Sequence, residues 1–159
     1  MTLDQEIEKT YGNKLRVRAC GLCWREDELL LINHHHLGPE HFWAPPGGGI
    51  SLWTSAELTL KKEFLEETGL HIEVGAFQFA TEFIRPPLHA IELFFEVKVI
   101  GGSLQKGYDP ETKLAVIHEL AFKKMESVRA LPAHQRHGIF DIATTPFDLR
   151  NLRGYVRLL

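Results

Sequence analysis

Cysteine is scarce: Cys20 and Cys23 are the only two in 159 residues, too few for a disulfide scaffold. In a strand, residues three apart point to opposite faces, and no second pair completes a tetrahedral site. Both thiols are therefore read as core rather than as zinc or redox groups. Long apolar runs are missing too, since none approaches the roughly 18 residues that a membrane-crossing helix needs. The opening MTLDQEIEKTYGN alternates in charge and has no apolar leader region. The expected location is the cytoplasm, with no membrane partner. Charge of one sign is not in excess either: 18 Lys and Arg against 21 Asp and Glu leave a formal charge of −3. With no basic arm, a nucleic-acid polymer is not an expected ligand. No repeat, low-complexity tract or linker is apparent. One domain over 1–159 is expected, with a C-terminal extension from about 132 to 159 that is the least readable part.

What is present is a succession of short periodic segments. Residues 15–23 and 28–33 read as strands around the charged turn Arg25-Glu26-Asp27, a hairpin pattern. Residues 42–44 form a short strand entering the run Pro45-Pro46-Gly47-Gly48-Gly49. The strongest helix follows. Thr54-Ser55-Ala56-Glu57 has capping-box spacing with Thr54 as N-cap, and Gly69 suits the left-handed position that ends a helix. Residues 72–83 and 90–100 read as strands. In the second, Ile91, Leu93, Phe95, Val97 and Val99 alternate with Glu92, Glu96 and Lys98, which predicts one buried face. A strand over 115–122 and a helix over 124–131 complete the readable elements. Strands on both sides of one strong helix, with antiparallel hairpins, predict an α/β (α+β) fold with a mixed β-sheet covered by helices.

A helix turns roughly 100° per residue, so Ala56, Leu60 and Phe64 form an apolar stripe. Glu63 and Glu67 project into the same sector, and Glu66 is an i, i+3 neighbour of Glu63. Three carboxylates crowding one half-buried edge repel one another. Lys61 and Lys62 turn toward the other side and cannot neutralise the set. A hard divalent cation, Mg²⁺ or Mn²⁺, suits clustered carboxylate oxygens, and Mg²⁺ commonly shares its remaining positions with substrate phosphates. A solvated acidic edge is the plain alternative. The adjoining glycines favour the metal reading, because Gly47, Gly48 and Gly49 let the backbone pass close to a ligand while Pro45 and Pro46 stiffen the approach.

From Gly48 to Leu70 the sequence GGISLWTSAELTLKKEFLEETGL resembles the Nudix box, G-x5-E-x7-R-E-U-x-E-E-x-G-U, where U is a bulky apolar residue. Gly48, Glu63, Phe64, Glu66, Glu67, Gly69 and Leu70 occupy its fixed positions, and the preceding FWAPPGG resembles the family's lead-in. Residues from about 16 to 125 share the likeness. The resemblance implies an α/β/α sandwich and hydrolysis of a diphosphate bond in a nucleoside diphosphate linked to another moiety. It also implies Glu63 and Glu67 as metal ligands, Glu66 joining or assisting them, and the Gly47 carbonyl as a further ligand. Gly48, Gly49 and Arg85 are then the expected substrate contacts, and the partner is a small-molecule nucleotide. A box glutamate, Glu111 or Glu119 are candidates for the general base. Two fixed positions depart: Thr54 replaces the first glutamate, and Lys62 replaces an arginine, keeping charge but losing its planar fork. Trp53 stands where a small residue is common. These departures motivate an alternative, a catalytically weak nucleotide or nucleotide-sugar binding or regulatory domain.

Other residues have two readings. His34, His35 and His36 are either a solvated turn or phosphate and base contacts. Phe42, Trp43 and Trp53 either pack or stack on a base. Arg85, before Pro86-Pro87, is either a surface arginine or a phosphate contact. Arg150, Arg153 and Arg157 interleave with Phe147, Leu149, Leu152, Tyr155 and Val156, so the tail is expected to pack on the domain or on a second copy, and a homodimer is among the expected assemblies.

Overall fold

A computed structural model of the chain describes residues 2–34, 41–107 and 117–159; His35, His36 and Glu111 lie outside them. The observed elements run α1 (Leu3–Tyr11), β1 (Leu15–Arg25), β2 (Glu28–His34), β3 (Trp43–Ala44), β4 (Gly47–Gly49) and α2 (Ala56–Thr68). They continue as β5 (Leu70–Arg85), β6 (Leu88–Gly102), β7 (Ile117–Lys124), α3 (Met125–Arg129), α4 (Ile139–Ile142), α5 (Pro146–Asn151) and β8 (Gly154–Arg157). Among the described residues the strands form one mixed sheet in the order β3-β2-β1-β6-β5-β8, with β4 added on β1 and β7 on β2. The expected α/β architecture with a mixed sheet is thus observed.

β1 is the pivot. Leu15 to Cys23 pair in parallel with β6, Arg18 to Cys20 pair antiparallel with the glycines of β4, and Trp24 and Arg25 turn into the β2 hairpin. Because side chains alternate across a strand, β1 and β2 serve two cores. Ala19, Cys23 and Leu30 face α2 through Leu60 and Phe64. Cys20, Leu22, Leu29 and Leu31 face the C-terminal helices through Met125, Val128, Ile139, Phe140 and Leu149.

Four expectations need correction. The N-cap of α2 is Ser55, not Thr54: the Ser55 hydroxyl accepts from the Leu58 N–H at 3.0 Å, whereas the Thr54 N–H closes a turn on the Ser51 carbonyl. Two adjacent hydroxyls are equivalent by composition, and the turn decides between them. The glycine run is a strand rather than a turn, because its backbone pairs with β1. The face of β6 read as exposed carries its buried residues, Glu92 and Phe94, because the C-terminal helices cover it. The N-terminal segment, read only as charged, forms α1, closed by a Thr2–Gln5 capping box. The tail from Pro132 does pack on the domain, with Ile139, Phe140 and Leu149 in the core and β8 parallel to β5.

Candidate active site

α2 is seated by Phe64, whose ring lies where a Cβ on Gly21 of β1 would meet it at 2.4 Å. The glycine in β1 therefore makes room for the helix. It ends where Gly69 takes φ 74° and donates its N–H to the Leu65 carbonyl at 3.0 Å. With Leu60 and Phe64 against the sheet, Glu63 and Glu67 are carried over β4. Glu67 is fully buried and its Oε1 accepts the Gly47 N–H at 3.1 Å. Glu63 is 6% exposed. A Cβ on Gly48 would stand 2.4 Å from its carboxyl carbon, so only glycine leaves the carboxylate this close to the strand. On Gly47 a Cβ would meet the Ala19 carbonyl at 2.3 Å.

Glu66 lies at the rim, with Oε1 3.8 Å from Lys62 Nζ and Oε2 buried without a hydrogen-bond partner. The expectation that Lys62 turns away is thus corrected: at i, i+4 its long side chain reaches one box carboxylate from the side. Thr54, where the family has a glutamate, contributes no carboxylate. Among the described residues no three His, Cys, Asp or Glu side chains close into a ready-made ion cage. The donor chemistry nonetheless suits a hard cation: three carboxylates on one helix flank, a buried Glu66 oxygen without a partner, and Gly47, whose N–H is on Glu67 and whose carbonyl is a further oxygen donor. That carbonyl accepts from Arg18 Nη2 at 3.3 Å, and an sp² oxygen has a second lone pair free for another partner.

The other sequence candidates are dispersed. Arg85 is exposed at the β5–β6 turn, opposite Leu88. It lies four residues beyond Thr81, the position in line with Gly49 across the sheet, or roughly 13 Å along the strand. Glu119 is exposed on β7, paired with Asn33. Trp43 is core, with Lys123 Nζ over its ring at 4.4 Å, while Trp53 is 94% exposed. His34 is buried at the end of β2, its N–H on the Phe42 carbonyl.

One constellation escaped the sequence reading. On the sheet face opposite α2, the Glu92 carboxylate accepts from Arg18 Nη1 at 2.5 Å and Cys20 Sγ at 3.4 Å on one oxygen. His137 Nε2 at 2.6 Å and Thr81 Oγ1 at 3.4 Å meet the other. Burial opposes ionisation of Glu92, yet His137 and Arg18 outweigh it and hold the carboxyl well below the usual range. Burial, with the Glu92 charge, pushes the Cys20 thiol well up, and burial alone raises Cys23 to about 11. Both stay protonated thiols at neutral pH. The available signal was parity: Arg18 and Glu92 share their strand faces with Cys20 and Phe94, which are buried.

The family model for the NUDIX domain matches residues 14–140. The chain belongs to the Nudix family. An ADP-ribose pyrophosphatase of Methanocaldococcus jannaschii is 29% identical over 119 residues, covering 67% of this chain and 70% of that protein. A Nudix hydrolase from Nitrosomonas europaea superposes with TM-score 0.72 at 17% identity, covering 88% of this chain and 93% of its own. A MutT protein from Methanosarcina mazei gives 0.67 at 18% identity, over 87% and 93% of the two chains; these two likenesses concern the fold. As a Nudix protein the chain is a pyrophosphohydrolase by class, and Nudix hydrolases generally use divalent metal ions. No described helix is long and apolar enough to cross a membrane.

Proposed function

We propose that this Nudix enzyme hydrolyses a diphosphate bond in a nucleoside diphosphate linked to another moiety, with Mg²⁺ or Mn²⁺, and that ADP-ribose is the first substrate to test. The observation that carries this reading is the contact between buried carboxylates and a side-chain-free backbone, Glu67 on the Gly47 N–H and Glu63 against Gly48. The relative from Methanocaldococcus jannaschii supports the choice of substrate. Glu63, Glu66 and Glu67 would hold the cation with the Gly47 carbonyl. When bound, the cation supplies charge neutralisation for the diphosphate and lowers the proton affinity of water. The chain supplies the rest. Gly47 fixes one oxygen of Glu67, so its carboxylate needs no reorganisation as charge develops. Gly48 and Gly49 let a phosphate approach the strand without steric conflict.

A panel of ADP-ribose, nucleotide sugars, dinucleoside polyphosphates and oxidised nucleoside triphosphates, assayed with Mg²⁺ and with Mn²⁺, tests the reading by which bond breaks. Turnover releasing a nucleoside monophosphate is expected. Glu67→Gln keeps an acceptor for Gly47 and hence the fold, and should lower kcat on the order of 10²-fold or more. Tight nucleotide binding without metal-dependent turnover would replace hydrolysis with a binding role.

A further inference from the structure

We propose that Arg18 is a positioning residue: clamped by Glu92 and His137, its guanidinium sets the place of the Gly47 carbonyl, and through Gly47 the carboxylate on the other face of the sheet. This rests on the reading of Glu67 and Gly47 as active-site groups. The guanidinium is planar and rigid. One arm, Nη1, is on Glu92 at 2.5 Å and the other, Nη2, is on the Gly47 carbonyl at 3.3 Å, so neither contact shifts without the other. Gly47 is the junction, since its N–H is donated to Glu67 at 3.1 Å.

Glu92 is itself immobilised. Its two oxygens meet Arg18, Cys20, Thr81 and His137, which leaves it no part as a base toward substrate. His137 Nδ1 accepts the Ile139 N–H at 3.1 Å, so the ring hydrogen sits on Nε2 and points at Glu92. The His137 backbone N–H also donates to the Trp43 carbonyl at 2.9 Å, just before Pro45 and Pro46 lead into β4. The C-terminal segment therefore holds β3, which leads into the glycine strand, through Trp43, and the glycine strand itself through Glu92 and Arg18.

Arg18→Lys keeps a cation beside Glu92 but loses the two-armed fork. In metal-free protein, the Gly47 amide should exchange its hydrogen about tenfold faster or more, while the Phe64 amide in α2 is unchanged. With substrate, kcat should fall about tenfold or more and KM should stay within about threefold. His137→Gln, whose amide can still donate to Glu92, should behave as wild type, and His137→Ala as Arg18→Lys. Should Arg18→Lys not fold, the pair Arg18→Met/Glu92→Leu removes both charges of this ion pair together, leaving neither unpaired, and carries the same expectation. Unchanged Gly47 exchange overturns the proposal, whatever happens to turnover. If wild-type protein cleaves no member of the substrate panel, the proposed activity fails, while the metal-free exchange still decides the relay.

Discussion

Trp53 holds a left-handed backbone, φ 64°, with its side chain 94% exposed. For an L residue that conformation costs roughly 1–2 kcal/mol, and a ring in solvent recovers nothing from the core. The place where the family commonly has a small residue is thus one whose backbone favours glycine. Trp53→Gly should stabilise the protein by about 0.5–1 kcal/mol, the relief of strain being partly offset by the freer unfolded chain. The measurement is the urea midpoint, which should rise with an unchanged slope. Trp53→Ala keeps a Cβ in the same conformation and should gain little. Residue-scale chemistry also accounts for the two thiols as interior groups: Cys20 donates to Glu92 inside one core and Cys23 is buried in the other.

At the scale of elements, β4 works by lacking side chains, and its two inner glycines lack them for different reasons. An added Cβ on Gly48 meets the end of the Glu63 side chain at 2.4–2.8 Å, whereas on Gly47 it meets β1 backbone at 2.3 Å. Gly48→Ala should therefore fold, displace Glu63 and lower kcat about tenfold or more. Gly47→Ala should open the β1–β4 ladder and cost about 1–3 kcal/mol of stability, read by denaturation with activity measured on the folded fraction. Equal stability losses at both positions would contradict this division. The same element marks the limit of sequence reading. Glu63 and Glu67 were legible because a helix brings i and i+4 together by its own period. A glycine strand has no alternation to display. α1 does carry a sparse stripe, Leu3, Ile7 and Tyr11 at i, i+4 and i+8, hidden among the charges that alternate around it, and the C-terminal elements are four to six residues long, shaped by the core they cover rather than by local propensity.

At the scale of the whole molecule, the group least visible in sequence ties most of the fold together. Glu92 joins β6 to β1 through Arg18, 74 positions away, to β5 through Thr81, and to the C-terminal segment through His137, 45 positions away. No spacing rule spans such separations; only the sheet register, with Arg18 and Thr81 both opposite Glu92, puts the groups together. Its ionisation is therefore linked to global stability. In the unfolded chain the carboxyl titrates near its ordinary 4.5, and in the fold it stays ionised to much lower pH. Below that ordinary value the unfolded state takes up a proton that the native state refuses, so this contribution is fully present above about pH 5 and drains away as pH falls. Urea midpoints followed from about pH 7 to about pH 3 should drop more steeply for wild type than for Arg18→Met/Glu92→Leu, which lacks the titrating group but keeps the other carboxylates. Parallel acid limbs would mean that Glu92 titrates alike in both states, and that the four contacts around it stabilise no charge.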